Sequence, residues 1–157
     1  MKSLLKQIVL KYIAEERPML PQEKREKYKK SGLTEVRAIE IKRKIQIALE
    51  IDKIYRQNDL SLLGLATHIE QDRYKISEVI NTYYDKNFYS LLNTYRIEEA
   101  KKLLVENPFL SVKSVMYEVG FNSKNSFYNA FKKDTGLSPN DFRTIESYNY
   151  QGPQLAS

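Results

Sequence analysis

The chain has 157 residues, a single histidine (His68) and no cysteine, with 26 Lys and Arg against 20 Asp and Glu for a formal charge of +6. This length suits one domain or two small ones with a real core, and the composition excludes both a disulfide framework and a zinc site built from Cys and His. The positive balance favours polyanionic partners without naming one, because solvated lysines alone produce the same charge.

Leu4, Leu5, Ile8, Val9, Tyr12 and Ile13 repeat at the spacing of one helical face and stop before Arg17-Pro18, which predicts an amphipathic helix over residues 1–16. Its apolar face needs cover, which a homodimer through 1–16 or packing on the next long helix would supply. No apolar run approaches the roughly 18 residues of a membrane helix, and the opening MKSLLKQIVLKYIAEERP lacks the small-residue cleavage site of a signal peptide. A soluble, cytoplasmic protein is expected. PQEKREKYKKSG has no apolar period, so 1–33 divides into a helix and a charged connector with a boundary near Gly32.

From Thr34 to about Tyr55, Ile41, Ile45, Ile47, Ala48, Leu49, Ile51 and Ile54 form a broad stripe that predicts a helix of about six turns, at roughly 3.6 residues per turn, leading into a domain over 58–147. Inside that domain helices are predicted over Ser61 to Ile69, Arg73 to Tyr84, Asn87 to Glu106, Ser111 to Val119 and Ser123 to Lys133. A last one opens at Ser138-Pro139, where serine caps and proline needs no amide partner. Residues 148–157 read as a tail. No stretch alternates with period two for long enough to be a strand, so the fold class is all-α.

Compared with itself at an offset of 51, the chain repeats: Ile76 falls on Phe127, Ile80 on Phe131, Asp85 on Gly136, Asn87 on Ser138 and Leu91 on Phe142. A short helix and a tight turn precede each apolar pair, in SLLGLATHIE and SVKSVMYEVG. Two helix-turn-helix units follow, 58–86 and 107–147, joined by a linker helix over 87–106. In the second, Gly120 suits the positive φ of the turn, and Phe127, Ala130 and Phe131 hold the second helix to the core. At 100° per residue Asn125 and Asn129 lie opposite the phenylalanines, with Lys132 beside them and Lys124 near the helix start. Asparagine can pair bidentately with adenine, and lysine with guanine or phosphate. One amphipathic helix with a solvated polar face would look the same; two copies on a linker of about 30 Å, set against the roughly 34 Å turn of B-DNA, favour two recognition helices in successive major grooves.

These residues also carry a family resemblance. YRIEEAKKLL followed by VMYEVGFNSKNSFYNAFKKDTGLSPNDFR resembles the C-terminal signature of AraC/XylS-type transcription regulators, and LGLATHIEQDRYKISEVIN resembles their first helix-turn-helix, together covering roughly residues 58–143. Gly120-Phe121, Phe127, Phe131-Lys132-Lys133, Gly136, Ser138-Pro139 and Arg143 fall where that motif expects them. The resemblance implies two helix-turn-helix subdomains on a long helix, sequence-specific binding to double-stranded promoter DNA, and regulation of transcription through RNA polymerase, with no cofactor and no catalysis. Carried over residue by residue, the reading face of the second unit is Lys124, Asn125, Ser126 and Asn129, and that of the first is Arg73, Tyr74, Ser77 and Glu78. The sequence departs from the pattern at Glu78, an acid where a basic or amide residue is commoner, at Met116, where a small alanine is usual, and at Glu70-Gln71, which lacks a turn glycine.

Lys132, Lys133, Arg96 and Arg143 are phosphate candidates, although the two arginines equally suit pairing with a carboxylate such as Glu99. His68 is expected on the surface of a short helix. Tyr83-Tyr84 with Phe88-Tyr89 could stack on bases but read better as core and as the border of the linker helix. An enzyme is not expected: there is no cysteine nucleophile, histidine pair or phosphate-cradling glycine loop, and Glu98-Glu99 sit on adjacent helix positions that point apart. The reading is a DNA-binding transcription regulator, or the DNA-binding output part of one, without a separate sensor domain. The rival is a helix-turn-helix interaction module or accessory regulator, which would bind duplex weakly and with little salt dependence.

Overall fold

The computed structural model describes residues 32–151. The amphipathic helix and homodimer surface expected over 1–16, and most of the charged connector, lie outside the described residues.

Seven α-helices follow one another: α1 Glu35–Gln46, α2 Leu62–His68, α3 Arg73–Tyr84, α4 Phe88–Glu106, α5 Val112–Glu118, α6 Lys124–Thr135 and α7 Pro139–Gln151. No strand occurs among the described residues. All seven helices begin at a side-chain cap: Thr34, Ser61, Asp72, Asn87, Ser111, Ser123 and Ser138 each accept from a backbone N–H of the first turn. Such caps contribute about 1 kcal/mol each and fix where helices start. The last helix runs past the expected end of the domain, into part of the stretch read as a tail.

The predicted six-turn helix is a shorter one. After Gln46 the backbone widens into a π turn over Ile47–Ile51, Lys53 adopts a left-handed conformation at φ 51°, and a single 3-10 turn spans Ile54–Arg56. Burial explains the break. Leu49 lies in the core, and the chain must then turn so that Ile54 and Tyr55 enter that core as well. Opening the helix also frees the carbonyls of Tyr55 and Gln57, which accept from Arg96 on α4.

Two cores result. Ile41, Ile45, Leu49, Leu65, Ile76, Ile80 and Leu92 centre the first; Ile97, Leu104, Val115, Phe127 and Phe131 centre the second. Helix α4 has 19 residues, about 28 Å at 1.5 Å per residue, and serves both. Its N-terminal half gives Phe88, Leu91 and Leu92 to the first core, and its C-terminal half gives Ile97, Ala100 and Leu104 to the second.

The internal repeat holds, with a step in it. Ile76 and Ile80 occupy on α3 the fully buried places that Phe127 and Phe131 occupy on α6. In the preceding helices Leu65 corresponds to Val115 and Ala66 to Met116, one residue closer, so the second turn is one residue longer. Gln71 N–H donates to the Ala66 carbonyl and Phe121 N–H to the Met116 carbonyl, each at 3.0 Å, which fixes that register. Met116 is buried in the second core where Ala66 is buried in the first. The missing glycine at the first turn is replaced by strain: Glu70 takes φ 53° where Gly120 takes φ 95°.

Candidate nucleic-acid interface

Helix α6 is held by its aromatic side. Phe127 packs 5.3 Å from Phe121 and 5.7 Å from Phe131, and Phe131 packs 5.4 Å from Phe142 of α7. These edge and tilted contacts anchor the helix on two neighbours, Phe121 of the preceding turn and Phe142 of α7, and leave it little freedom to rotate. The opposite face is polar. Lys124, Asn125, Ser126, Asn129, Lys132 and Lys133 are all exposed. Lys124 Nζ lies 5.3 Å from the centre of the Tyr128 ring, which steadies it at the helix start. The side chains of Asn125, Asn129, Lys132 and Lys133 make no hydrogen bond or ion pair among the described residues, so their donors and acceptors face outward unspent.

Helix α3 is built alike but reads differently. Asp72 accepts from the N–H groups of Tyr74 and Lys75 at 3.0 and 3.1 Å, so the helix starts with Arg73 and Tyr74 at its exposed end. The Arg73 guanidinium lies 4.8 Å from the Tyr74 ring centre and donates to the Tyr74 hydroxyl at 2.9 Å. The pair therefore projects as one unit. Ser77 and Glu78 are half-buried; at the offset of 51 Ser77 corresponds to Tyr128, which is half-buried too, but Glu78 corresponds to Asn129, which is exposed. Asn81, absent from the sequence-derived set, is exposed on α3; the same offset of 51 carries Lys132 onto it and would have found it. Arg37 and Lys75 were also missed. With Arg73, Gln71 and Glu70 they line an open cleft of about 480 Å³ where α1, the end of α2 and the start of α3 meet.

Two phosphate candidates are corrected. Arg96 is buried, its Nε donating to the Tyr55 carbonyl at 2.8 Å and its Nη2 to the Gln57 carbonyl at 2.7 Å. Burial lowers its pKa from the usual guanidinium value, opposing its charge, while the two carbonyl dipoles support that charge. Arg143 is half-buried and donates in the same way to the carbonyls of Leu104 and Leu110 at 3.2 and 2.7 Å. Among the described residues neither guanidinium pairs with a carboxylate; both brace backbone. Lys132 and Lys133 keep the exposure a phosphate contact requires.

The tyrosines sort mainly into the core. Phe88 is buried, Tyr83 and Tyr84 pack against the first core, and burial raises the Tyr84 pKa well above its ordinary value. Only Tyr89 of that group is strongly exposed. His68 is exposed on α2, with Nε2 2.8 Å from Asp52 Oδ2, a carboxylate sixteen residues away that local sequence could not pair with it. Among the described residues no cluster of three or more His, Cys, Asp or Glu could hold a metal ion, and no helix is long and apolar enough to cross a membrane.

Two helix-turn-helix units on one long helix define the class, and the family described as "Helix-turn-helix domain" matches residues 65–145. The chain belongs to the AraC/XylS-type helix-turn-helix transcription regulators. It is 34% identical over 91 residues, 57% of this chain and 53% of the relative, to an uncharacterized HTH-type transcriptional regulator in the cgkA 5′ region of Pseudoalteromonas carrageenovora. It is 25% identical over 112 residues, 71% of this chain and 37% of the relative, to the regulatory protein PocR of Salmonella typhimurium. The chain thus spans about half, or less, of the curated relatives it matches. Among solved structures, the C-terminal domain of AraT, a response regulator from Geobacillus stearothermophilus, aligns with a TM-score of 0.59 at 30% identity over 67% of this chain and 84% of that one. The DNA-binding domain of the transcriptional factor AdpA, solved with a target DNA, aligns with a TM-score of 0.60 over 73% of this chain and 96% of that one; at 22% identity this likeness is one of fold.

Proposed function

We propose that this regulator binds double-stranded promoter DNA sequence-specifically, with α6 and α3 entering successive major grooves, and acts on transcription through RNA polymerase. The observation that carries the reading is the division of α6: Phe127 and Phe131 are fully buried while Asn125, Asn129, Lys132 and Lys133 stand exposed and unspent on the other side. A major groove about 12 Å wide admits an α-helix, its base edges take bidentate amides, and its flanking phosphates take lysines. Helix α4, about 28 Å long, supports a separation between α3 and α6 near the roughly 34 Å of one DNA turn. Arg73 with Tyr74, and Asn81, would serve the first groove.

The test is selection from a randomised duplex pool, with affinity followed against salt. Two enriched boxes about one helical turn apart and a steep salt slope are expected. A second reading is favoured by the half-buried Ser77 and Glu78: α6 alone reads sequence, and α3 only grips the backbone. A single enriched box would establish it. No enrichment with a flat salt response would favour the interaction module.

A further inference from the structure

The two units touch at a second place besides α4. Segment 53–57 belongs to the first core through Ile54 and Tyr55, yet it lies against the turn of the second unit. A Cβ on Gly120 would stand 2.5 Å from the Tyr55 carbonyl oxygen and 2.9 Å from that of Arg56, so the two backbones are in direct contact. The ring of Phe121, the next residue, is centred 5.3 Å from the guanidinium carbon of Arg96, and Arg96 also donates to that Tyr55 carbonyl.

The Arg56 side chain then forks across the junction. It pairs with Glu99 on α4 and, at 3.2 Å, with Glu118 at the end of α5; Lys53 joins Glu99 at 3.2 Å. The Glu99 side chain is only 12% exposed, which shields its pairs from water and salt more than is usual at a surface. The apolar cores share no side chain, and α4 passes from one to the other between Leu92 and Ile97. Bending of α4 there would swing α6 relative to α3, and the contacts that oppose it are these polar, geometrically specific ones.

We infer that Arg56, with Glu99, Glu118 and the Gly120 contact, is a positioning device that holds α3 and α6 at one relative angle and so sets which spacing between two DNA boxes the regulator accepts. The part concerning spacing rests on the two-groove reading; the part concerning the angle does not. Ion pairs of this kind add little to folding, but spacing between half-sites is a geometric property and is sensitive to a small restoring force.

The chain has no cysteine, so cysteines placed at exposed Asn81 and Lys132 can carry spin labels without background. Pulsed electron resonance on DNA-free protein then measures the α3–α6 distance distribution. The Arg56→Ala/Glu118→Ala variant, checked for helix content, is expected to broaden that distribution, and Arg56→Lys to leave it nearly as narrow as in the unsubstituted protein. On unlabelled protein, selection against two-box duplexes of varied spacer is expected to keep the base preference in each box. The preference for the best spacer over one a base pair longer should fall about fivefold, the equivalent of losing roughly 1 kcal/mol of pairing. If the double variant does not fold, Glu118→Gln, which removes one pair only, carries both measurements. An unchanged distance distribution overturns the inference, as does a uniform loss of affinity with spacer preference intact. If the unsubstituted protein enriches no two-box site, the two-groove reading fails while the distance measurement still decides the device.

Discussion

Arg96 and Arg143 do the same work in the two units from positions that the offset of 51 does not pair: each sends Nε and Nη2 from the helix that follows its unit's second helix to two backbone carbonyls that precede the unit's first helix. Arg96 closes the first unit onto Tyr55 and Gln57, and Arg143 closes the second onto Leu104 and Leu110. Each unit therefore has an arginine brace, placed one helical turn earlier in the second unit than the offset of 51 would put it. Arginine suits the task because its planar fork meets two acceptors at once, which a lysine ammonium on a flexible stem does not.

Arg96→Lys is accordingly expected to destabilise the protein by about 2 kcal/mol, since hydrogen bonds involving a charged group are worth roughly 1.5–3 kcal/mol and the buried carbonyl of Tyr55 and the part-buried one of Gln57 lose their fixed donors. Arg143→Lys should cost less, because its surroundings are half-exposed. Urea midpoints measure both. The salt slope of DNA binding should stay as it is for either variant. A slope reduced by about one with stability unchanged would instead make that arginine a phosphate contact.

The two turns offer a paired test of backbone strain. Gly120 has φ 95° and its missing Cβ is replaced by the carbonyls of Tyr55 and Arg56, whereas Gly136 has φ 76° with open space around it. Gly120→Ala must therefore both strain its own backbone and push a neighbouring one. A loss of more than about 2 kcal/mol is expected there and about 1 kcal/mol for Gly136→Ala. Glu70, at φ 53° without a glycine's freedom, should gain up to about 1 kcal/mol on replacement by glycine. Thermal melts of the three variants check the ordering Gly120→Ala below Gly136→Ala below Glu70→Gly.

Glu99 supplies a pH dependence. Burial alone would raise its pKa, but hydrogen bonds from Arg56 and Lys53 outweigh this and hold the carboxyl below its ordinary value. A carboxylate depressed in the folded state stabilises fully above the unfolded pKa, about 4.3, and loses that contribution as pH falls through the lower folded value. The stability gap between the natural chain and Glu99→Gln should thus be constant from pH 7 to about pH 5 and shrink below about pH 4.3. Urea titrations at each pH measure it, and a gap independent of pH down to pH 3 would refute the assignment.

Much of this was legible because it is local. The helix boundaries of α3, the helix starts near Ser61, Asn87, Ser111 and Ser123 and the cap Ser138 followed from short-range rules, and the offset between Ile76 and Phe127 exposed the repeat. What local pattern could not show was contact across distance. The apolar stripe from Ile41 to Ile54 satisfies a continuous helix, and only the demand of Arg96 for free carbonyls, with the need to bury Tyr55, breaks it. Arg96 and Arg143 looked like surface cations for the same reason: their acceptors lie about forty residues or more from Arg96 and over thirty from Arg143 in the chain. The exposed polar residues of α6 sit where amphipathic geometry put them, whereas half-burial of Ser77 and Glu78 depends on neighbours that the helical wheel does not contain.

Substitutions at Asn129 and Lys132 test whether base reading and backbone grip are separate on α6. Both are exposed one turn apart on α6, opposite Phe127 and Phe131, so neither substitution should disturb the core. If Asn129 pairs with a base edge, Asn129→Ala should weaken the selected site by about 1–3 kcal/mol and leave random duplex nearly untouched. Lys132→Ala should weaken selected and random duplex alike and lower the salt slope by about one, because a phosphate contact releases counterions whatever the sequence. Affinity titrations on both duplexes at several salt concentrations give the four numbers needed. Equal losses on both duplexes for Asn129→Ala would place its amide on the backbone, and sequence reading by α6 would then have to come from Asn125 and Lys124 at the start of the helix.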